Sequence, residues 1–218
     1  MEPLTSSIIQ YWEQEKQPTM VREFTLTWQK FNPDWSYRCF DRTTASLFFK
    51  EVFGDSVQKD FLSIRLPAMQ SDVFRVAYLM TYGGLWVDAA TTCLSPLDHW
   101  LDPQTPLVLV RRDVNSTKVC NGIIYAHQPQ HKFLEAVWSS IAGLIAKRAG
   151  TNLWSTFGPG LFGKTLMDVD LAREVLVVPL QDLTQHLSIG TSGHFMPTGQ
   201  HWSIREKHET LYFEDGLE

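Results

Sequence analysis

An α/β domain is the fold class predicted for this 218-residue chain, and three observations predict it. Short apolar runs alternate with stretches of helical period. Turn signals such as Asn32-Pro33-Asp34 and Gly83-Gly84 punctuate them. The length suits one domain, and 44% hydrophobic residues are enough for a sizeable core. No internal repeat, low-complexity tract or Ser/Gly linker breaks the pattern. One domain over residues 1–218 is therefore expected, with a core of about 7–205 and a polar C-terminal tail.

Taken in order, Ser7 to Trp12 reads as a first strand, and Val21 to Phe31 as a helix that the Asn-Pro-Asp turn ends. Trp35 to Phe40 reads as a second strand. Thr43 to Phe53 and Val57 to Ile64 read as helices. In the next segment Ser71 suits an N-cap, with Asp72 in the first turn where the helix dipole favours an anion. Val73, Val76, Ala77 and Met80 follow at the i, i+3, i+4, i+7 spacing of one buried face. Gly83-Gly84 stops this helix, and Leu85 to Val87 forms a short strand that delivers Asp88 at its carboxyl end. Leu107 to Val110, Gly122 to Tyr125 and Leu176 to Pro179 read as strands. His131 to Arg148 reads as a long amphipathic helix, and Gly190 to Gln200 as a loop.

Composition excludes several classes. The net charge is −5 with no Lys/Arg run, so a nucleic-acid surface, which needs clustered positive charge, is not expected. Three widely spaced cysteines fit neither a metal site nor a disulfide framework and read as reduced thiols, which points to the cytoplasm. The polar stretch from Met1 to Ser7 does not read as a signal peptide, and none is expected. No apolar run approaches the roughly 20 residues that span a bilayer, so any membrane association is expected to be peripheral.

Open α/β sheets bind ligands at the carboxyl ends of their strands, where Asp88 arrives. Asp72 and Arg75 lie three apart and share a helix face turned away from the Val73/Val76/Met80 stripe. A helix–Gly-Gly–strand connection folds the strand back beside its helix, so Asp72, Arg75 and Asp88 can converge on one cleft. Carboxylates accept hydrogen bonds from sugar and ribose hydroxyls, and an arginine fork pairs with phosphate. The same three residues also suit a plain helix pair and a turn-capping aspartate.

The run Ser71-Asp72-x-x-Arg75-x-x-x-Leu79-x-x-Tyr82-Gly83-Gly84-Leu85-Trp86-Val87-Asp88 resembles the DXD-containing sugar-binding region of glycosyltransferase family 32. It is most similar to the capsular-polysaccharide-synthesis branch, with Gly-Gly-x-Trp-x-Asp-Ala. Ile8-Ile9-Gln10-Tyr11-Trp12 resembles the first strand of that family, and Trp28, Asn32-Pro33-Asp34 and Tyr37 its Trp…Asn-Pro…Tyr element. Asn121-Gly122-Ile123-Ile124, Gly158-Pro159-Gly160 and His201-Trp202-Ser203 follow in the family's order, so the resemblance covers about residues 7–205.

The resemblance implies a GT-A-like fold, a mostly parallel sheet flanked by helices. It implies transfer of a sugar from a nucleotide-sugar donor, a UDP-sugar being favoured, to a saccharide or other acceptor in polysaccharide biosynthesis. Similar enzymes retain the anomeric configuration and use Mn²⁺ or Mg²⁺. Arg75 and Asp88 would be the catalytic pair. Asp72, Arg75, Asp88, Asn121 and Gly84 would bind the donor, with Trp12 or Tyr11 against its base. Asp88 and His201 would hold the cation.

This chain departs from the pattern at Ala90, which stands where the second DXD acid is expected. That motivates an alternative, a catalytically silent sugar-nucleotide-binding homologue that acts as a scaffold in a polysaccharide-assembly complex. A nucleotidyltransferase would need a glycine-rich phosphate loop after the first strand, and Glu13 to Pro18 contains no glycine. Asn121-Gly122 also suits a turn, and Gly158-Pro159-Gly160 a helix entry with proline near N1.

Overall fold

The computed structural model describes residues 6–112, 114, 118–190 and 202–214. Its main sheet has six strands: β1 (Ser7–Tyr11), β2 (Ser36–Phe40), β3 (Gly84–Val87), β5 (Leu107–Arg111), β6 (Val119–Ala126) and β7 (Val175–Pro179), in the order β2-β1-β3-β6-β5-β7. β1 runs parallel to β2 and β3, and β5 to β7, while β6 is antiparallel to both neighbours. Five strands therefore share one direction and β6 alone is reversed. The sheet is mixed and mostly parallel, as expected. A second sheet pairs the three-residue strands β4 (Thr91–Cys93) and β8 (Leu187–Ile189).

Helices cover both faces. Trp28 of α1 (Thr19–Phe31) packs in one apolar layer with Ile8, Leu85, Val87, Val108 and Val110. The opposite layer joins Ile9, Trp86, Leu107, Leu109 and Ile124 to α2 (Arg42–Phe53), α4 (Pro67–Tyr82), α5 (Lys132–Ile145) and α7 (Pro159–Thr165). Strand alternation explains the split, because successive side chains point to opposite faces. Leu85 and Val87 face α1, and Trp86 between them faces α4. α3 (Asp55–Leu62), α6 (Leu153–Thr156), α8 (Val169–Ala172) and α9 (Trp202–Arg205) complete the order.

Local chemistry sets the boundaries that matter. Asp41 caps α2 in a capping box, its carboxylate accepting from the Thr44 N–H at 2.7 Å. α4 starts one turn earlier than its sequence suggests, because Pro67 takes the N1 position after an extended Leu66. Ser71 is thus inside the helix, not its N-cap, and Asp72 is beyond the first turn. α4 is also buried nearly all round from Met69 to Leu79, wider than the one stripe expected, since α2, α5 and β3 surround it. Gly83 ends it at φ 72°, its N–H bonded to the Leu79 carbonyl.

Two other expectations change. Asn121-Gly122 is not a turn but lies inside β6. The C-terminal segment is not simply polar. Leu211 and Tyr212 join the core, Ile64 bridges to Tyr212, and the Arg42 and Arg65 guanidiniums lie 5.4 and 5.6 Å from the centre of the Phe213 ring. Among the described residues no helix is long and apolar enough to cross a membrane.

Candidate active site at the end of the central strand

Asp72, Arg75 and Asp88 meet. An Arg75 Nη2 lies 3.1 Å from Asp72 Oδ1 and 3.1 Å from Asp88 Oδ1. The helix and the strand that follows it produce this, because the Gly83-Gly84 reversal lays β3 beside α4. The three do not share one exposure. The Asp72 and Arg75 side chains are 6% and 5% exposed, whereas the Asp88 side chain is 44% exposed. The pair on the helix therefore forms a sealed base, and Asp88 is the group that faces solvent.

The base is fully engaged. Arg75 donates to the Ser71 carbonyl at 3.3 Å, to Ser71 Oγ at 2.9 Å and to the Asn121 carbonyl. Its guanidinium stacks over the Trp86 ring at 4.9 Å. The Asn121 side-chain amide donates to Asp72 Oδ1 at 2.8 Å. Burial pushes the Asp72 carboxyl up to about 6, against the pull of Arg75 and the Asn121 amide.

Four features aim Asp88. Trp86 Nε1–H donates to its Oδ1 at 3.0 Å. The main chain of Asp88 donates to the Gly122 carbonyl at 2.8 Å and accepts from the Thr91 N–H at 2.9 Å. Gln10, fully buried in β1, donates to the Asp88 carbonyl at 3.3 Å and accepts from the Tyr37 hydroxyl at 2.7 Å. Gly122 leaves room for the carboxylate, since a Cβ there would lie 2.5 Å from Asp88 Oδ2. Among the described residues no donor engages Oδ2. Trp86, Gln10, Ser71 and Gly122 were not expected at the site. Ser71 and Trp86 do stand in the run that carries the family resemblance, and a glutamine inside the mostly apolar β1 was a further signal.

The Trp…Asn-Pro…Tyr element anchors the chain beyond Asp88. Trp28 Nε1–H donates to the Thr91 carbonyl at 2.8 Å, and Asn32 Oδ1 accepts from the Leu97 N–H at 2.8 Å. Gly158 borders the base, a Cβ there lying 3.1 Å from Asp72 Oδ2, and Pro159 does begin α7.

Other expected residues lie elsewhere. Tyr11 is buried in the core and donates to Gln70 Oε1 at 2.6 Å, with its ring 5.9 Å from that of Phe74, so it does not face a base. Gly84 is at the opposite end of β3 from Asp88. It packs on β1, where a Cβ would lie 2.7 Å from Ser7 Oγ and 2.9 Å from the Ser7 carbonyl. Asn121 braces Asp72 and Arg75 and is itself buried. Trp12 is half-buried just past β1, its main chain donating to the Phe40 carbonyl at 2.9 Å. His201 lies outside the described residues. Among the described residues no three His, Cys, Asp or Glu side chains form a metal cluster. Among the described residues, Asp88 Oδ2 is the oxygen of the trio Asp72, Arg75 and Asp88 that could bond a cation.

A family model described as capsular polysaccharide synthesis protein matches residues 2–146, which include Asp72, Arg75, Asp88 and Asn121. An initiation-specific alpha-1,6-mannosyltransferase from Candida albicans is 24% identical over 105 residues, covering 45% of this chain. The match spans only 27% of that relative's length. The solved structure of the PaToxG glycosyltransferase superposes with a TM-score of 0.56 at 13% identity, over 96% of this chain and 87% of that one. At that identity the likeness establishes the fold, which is GT-A-like.

Proposed function

The chain belongs to the capsular polysaccharide synthesis protein family, and from that premise we propose that it is a glycosyltransferase using a nucleotide-sugar donor. The observation that carries the reading is the half-exposed Asp88 carboxylate, fixed by Trp86 and Arg75 at the carboxyl end of a central strand. Ligands of open α/β sheets bind there. A UDP-sugar remains the favoured donor, with a saccharide or other acceptor in polysaccharide synthesis.

In this reading Asp88 Oδ2 accepts hydrogen bonds from donor hydroxyls. Asp72, Arg75 and Asn121 act beneath it, holding its direction and charge, since their burial keeps them from direct contact with the donor. The acceptor hydroxyl attacks the anomeric carbon from the side on which the diphosphate leaves. The bond from the anomeric carbon to the phosphate oxygen breaks with its electron pair on the oxygen, the new glycosidic bond forms, and the acceptor proton passes to the departing phosphate. No covalent glycosyl-enzyme is invoked, because Asp72 is sealed and Asp88 is tied to Arg75. Mn²⁺ or Mg²⁺, held by the diphosphate with Asp88 as its protein ligand, would neutralise charge on the leaving group.

Ala90 favours a second reading, a donor-binding protein without catalysis, because it leaves one carboxylate where similar sites have two. Incubating the chain with a panel of UDP- and GDP-sugars, with Mn²⁺ and with EDTA, separates the readings. Release of nucleoside diphosphate from one donor is expected. Binding without release would favour the scaffold, and absence of binding across the panel would contradict both.

A further inference from the structure

Arg75 is poorly suited to serve the leaving group. It faces two carboxylates, donates to Ser71 and Asn121, and its side chain is 5% exposed. Two carboxylates already face its one guanidinium, so this base has no positive charge to spare. A diphosphate brought to it, even with its cation, would be held better by a positive group from elsewhere on the chain.

The geometry points to Arg111 as that group, an inference that rests on the glycosyltransferase reading. Arg111 ends β5 at the same end of the sheet as Asp88. The β5–β6 register shifts between Leu109 and Val110, so its face is read from the layers to which its neighbours belong. Val110 belongs to the layer on α1, whereas Leu109 and Val119, the partner of Arg111, belong to the layer that holds Trp86. Alternation therefore turns the Arg111 side chain to the face on which Trp86, Arg75 and Asp88 meet. β5 and β3 both flank β6, a lateral separation of about 10 Å, which a diphosphate and an extended arginine can span together.

Arg111 is partly exposed, its Nε is buried with no hydrogen-bond partner, and its side chain makes no ion pair among the described residues. Arg75 is thus a positioning residue for Asp88, while Arg111 contacts the donor's diphosphate and stabilises it as negative charge develops.

Titration calorimetry with UDP and GDP, each with Mn²⁺, tests this on the wild-type chain and on Arg111→Met, Arg111→Gln and Arg111→Lys. Affinity for the diphosphate is expected to fall about 10- to 100-fold in Arg111→Met and to recover in part in Arg111→Lys. UMP and GMP, which lack the β-phosphate, are expected to lose less. Arg111→Gln keeps the stem without the charge and supplies the same reading if Arg111→Met does not fold. Wild-type affinity for the diphosphate in the neutral variants would overturn the role of Arg111 alone. Failure of the wild-type chain to bind either nucleotide would overturn the functional reading, and this inference with it.

Discussion

Asp72 is a carboxyl group sealed from water beside an arginine, and its acidity reports that conflict. Burial raises it from 3.8 to about 6, and Arg75 offsets only part of the desolvation. The folded chain then holds this proton more tightly than the unfolded chain does. Its contribution to stability is therefore full below about pH 4 and is lost as the pH rises to about 6. Asp72→Asn, a neutral isostere, removes the dependence. Urea midpoints between pH 4 and pH 6 should rise for this variant relative to wild type, and parallel curves would contradict the assignment. Gly122 makes a second prediction. A methyl group there would lie 2.5 Å from Asp88 Oδ2 and 3.1 Å from its Cγ, so Gly122→Ala must turn the carboxylate. Turnover should fall by about 10-fold or more, because a small misplacement of a reacting contact is costly. A turnover equal to wild type would show that the carboxylate direction is unimportant. The three charged residues were legible from their spacing. The division of labour among them was not, because burial around α4 depends on neighbours from distant parts of the chain.

At the level of elements, the reversal from α4 into β3 is the device that assembles the site. Gly83 and Gly84 both have positive φ, 72° and 103°, and Gly84 touches β1 as closely as backbone allows. Gly84→Ala combines a strained φ with contacts of 2.7 Å to Ser7 Oγ and 2.8 Å to Ile9 Cδ1. It should cost about 3 kcal/mol or more in urea unfolding, and a loss below about 1 kcal/mol would contradict this packing. The six strands of the main sheet were readable between turn signals, mostly as short apolar runs, although β2 is largely polar and has no buried residue. β4 and β8 were not, since each has three residues of mixed polarity and its partner lies far along the chain. The start of α4 was misread because Ser71 offered a plausible cap while Pro67, a turn earlier, set the boundary. The direction of β6 depended on its pairing with β3 and β5, which no local pattern shows.

For the whole molecule, the layered sheet and the buried braces behind Asp88 form one support for its half-exposed carboxylate. The most direct test of that claim is the rate of nucleoside diphosphate release from the preferred donor by Asp88→Asn beside wild type. Asp88 is half-exposed, so the variant should unfold at the wild-type urea midpoint while its rate falls by about 100-fold or more. A folded Asp88→Asn chain that turns over at the wild-type rate would contradict the account.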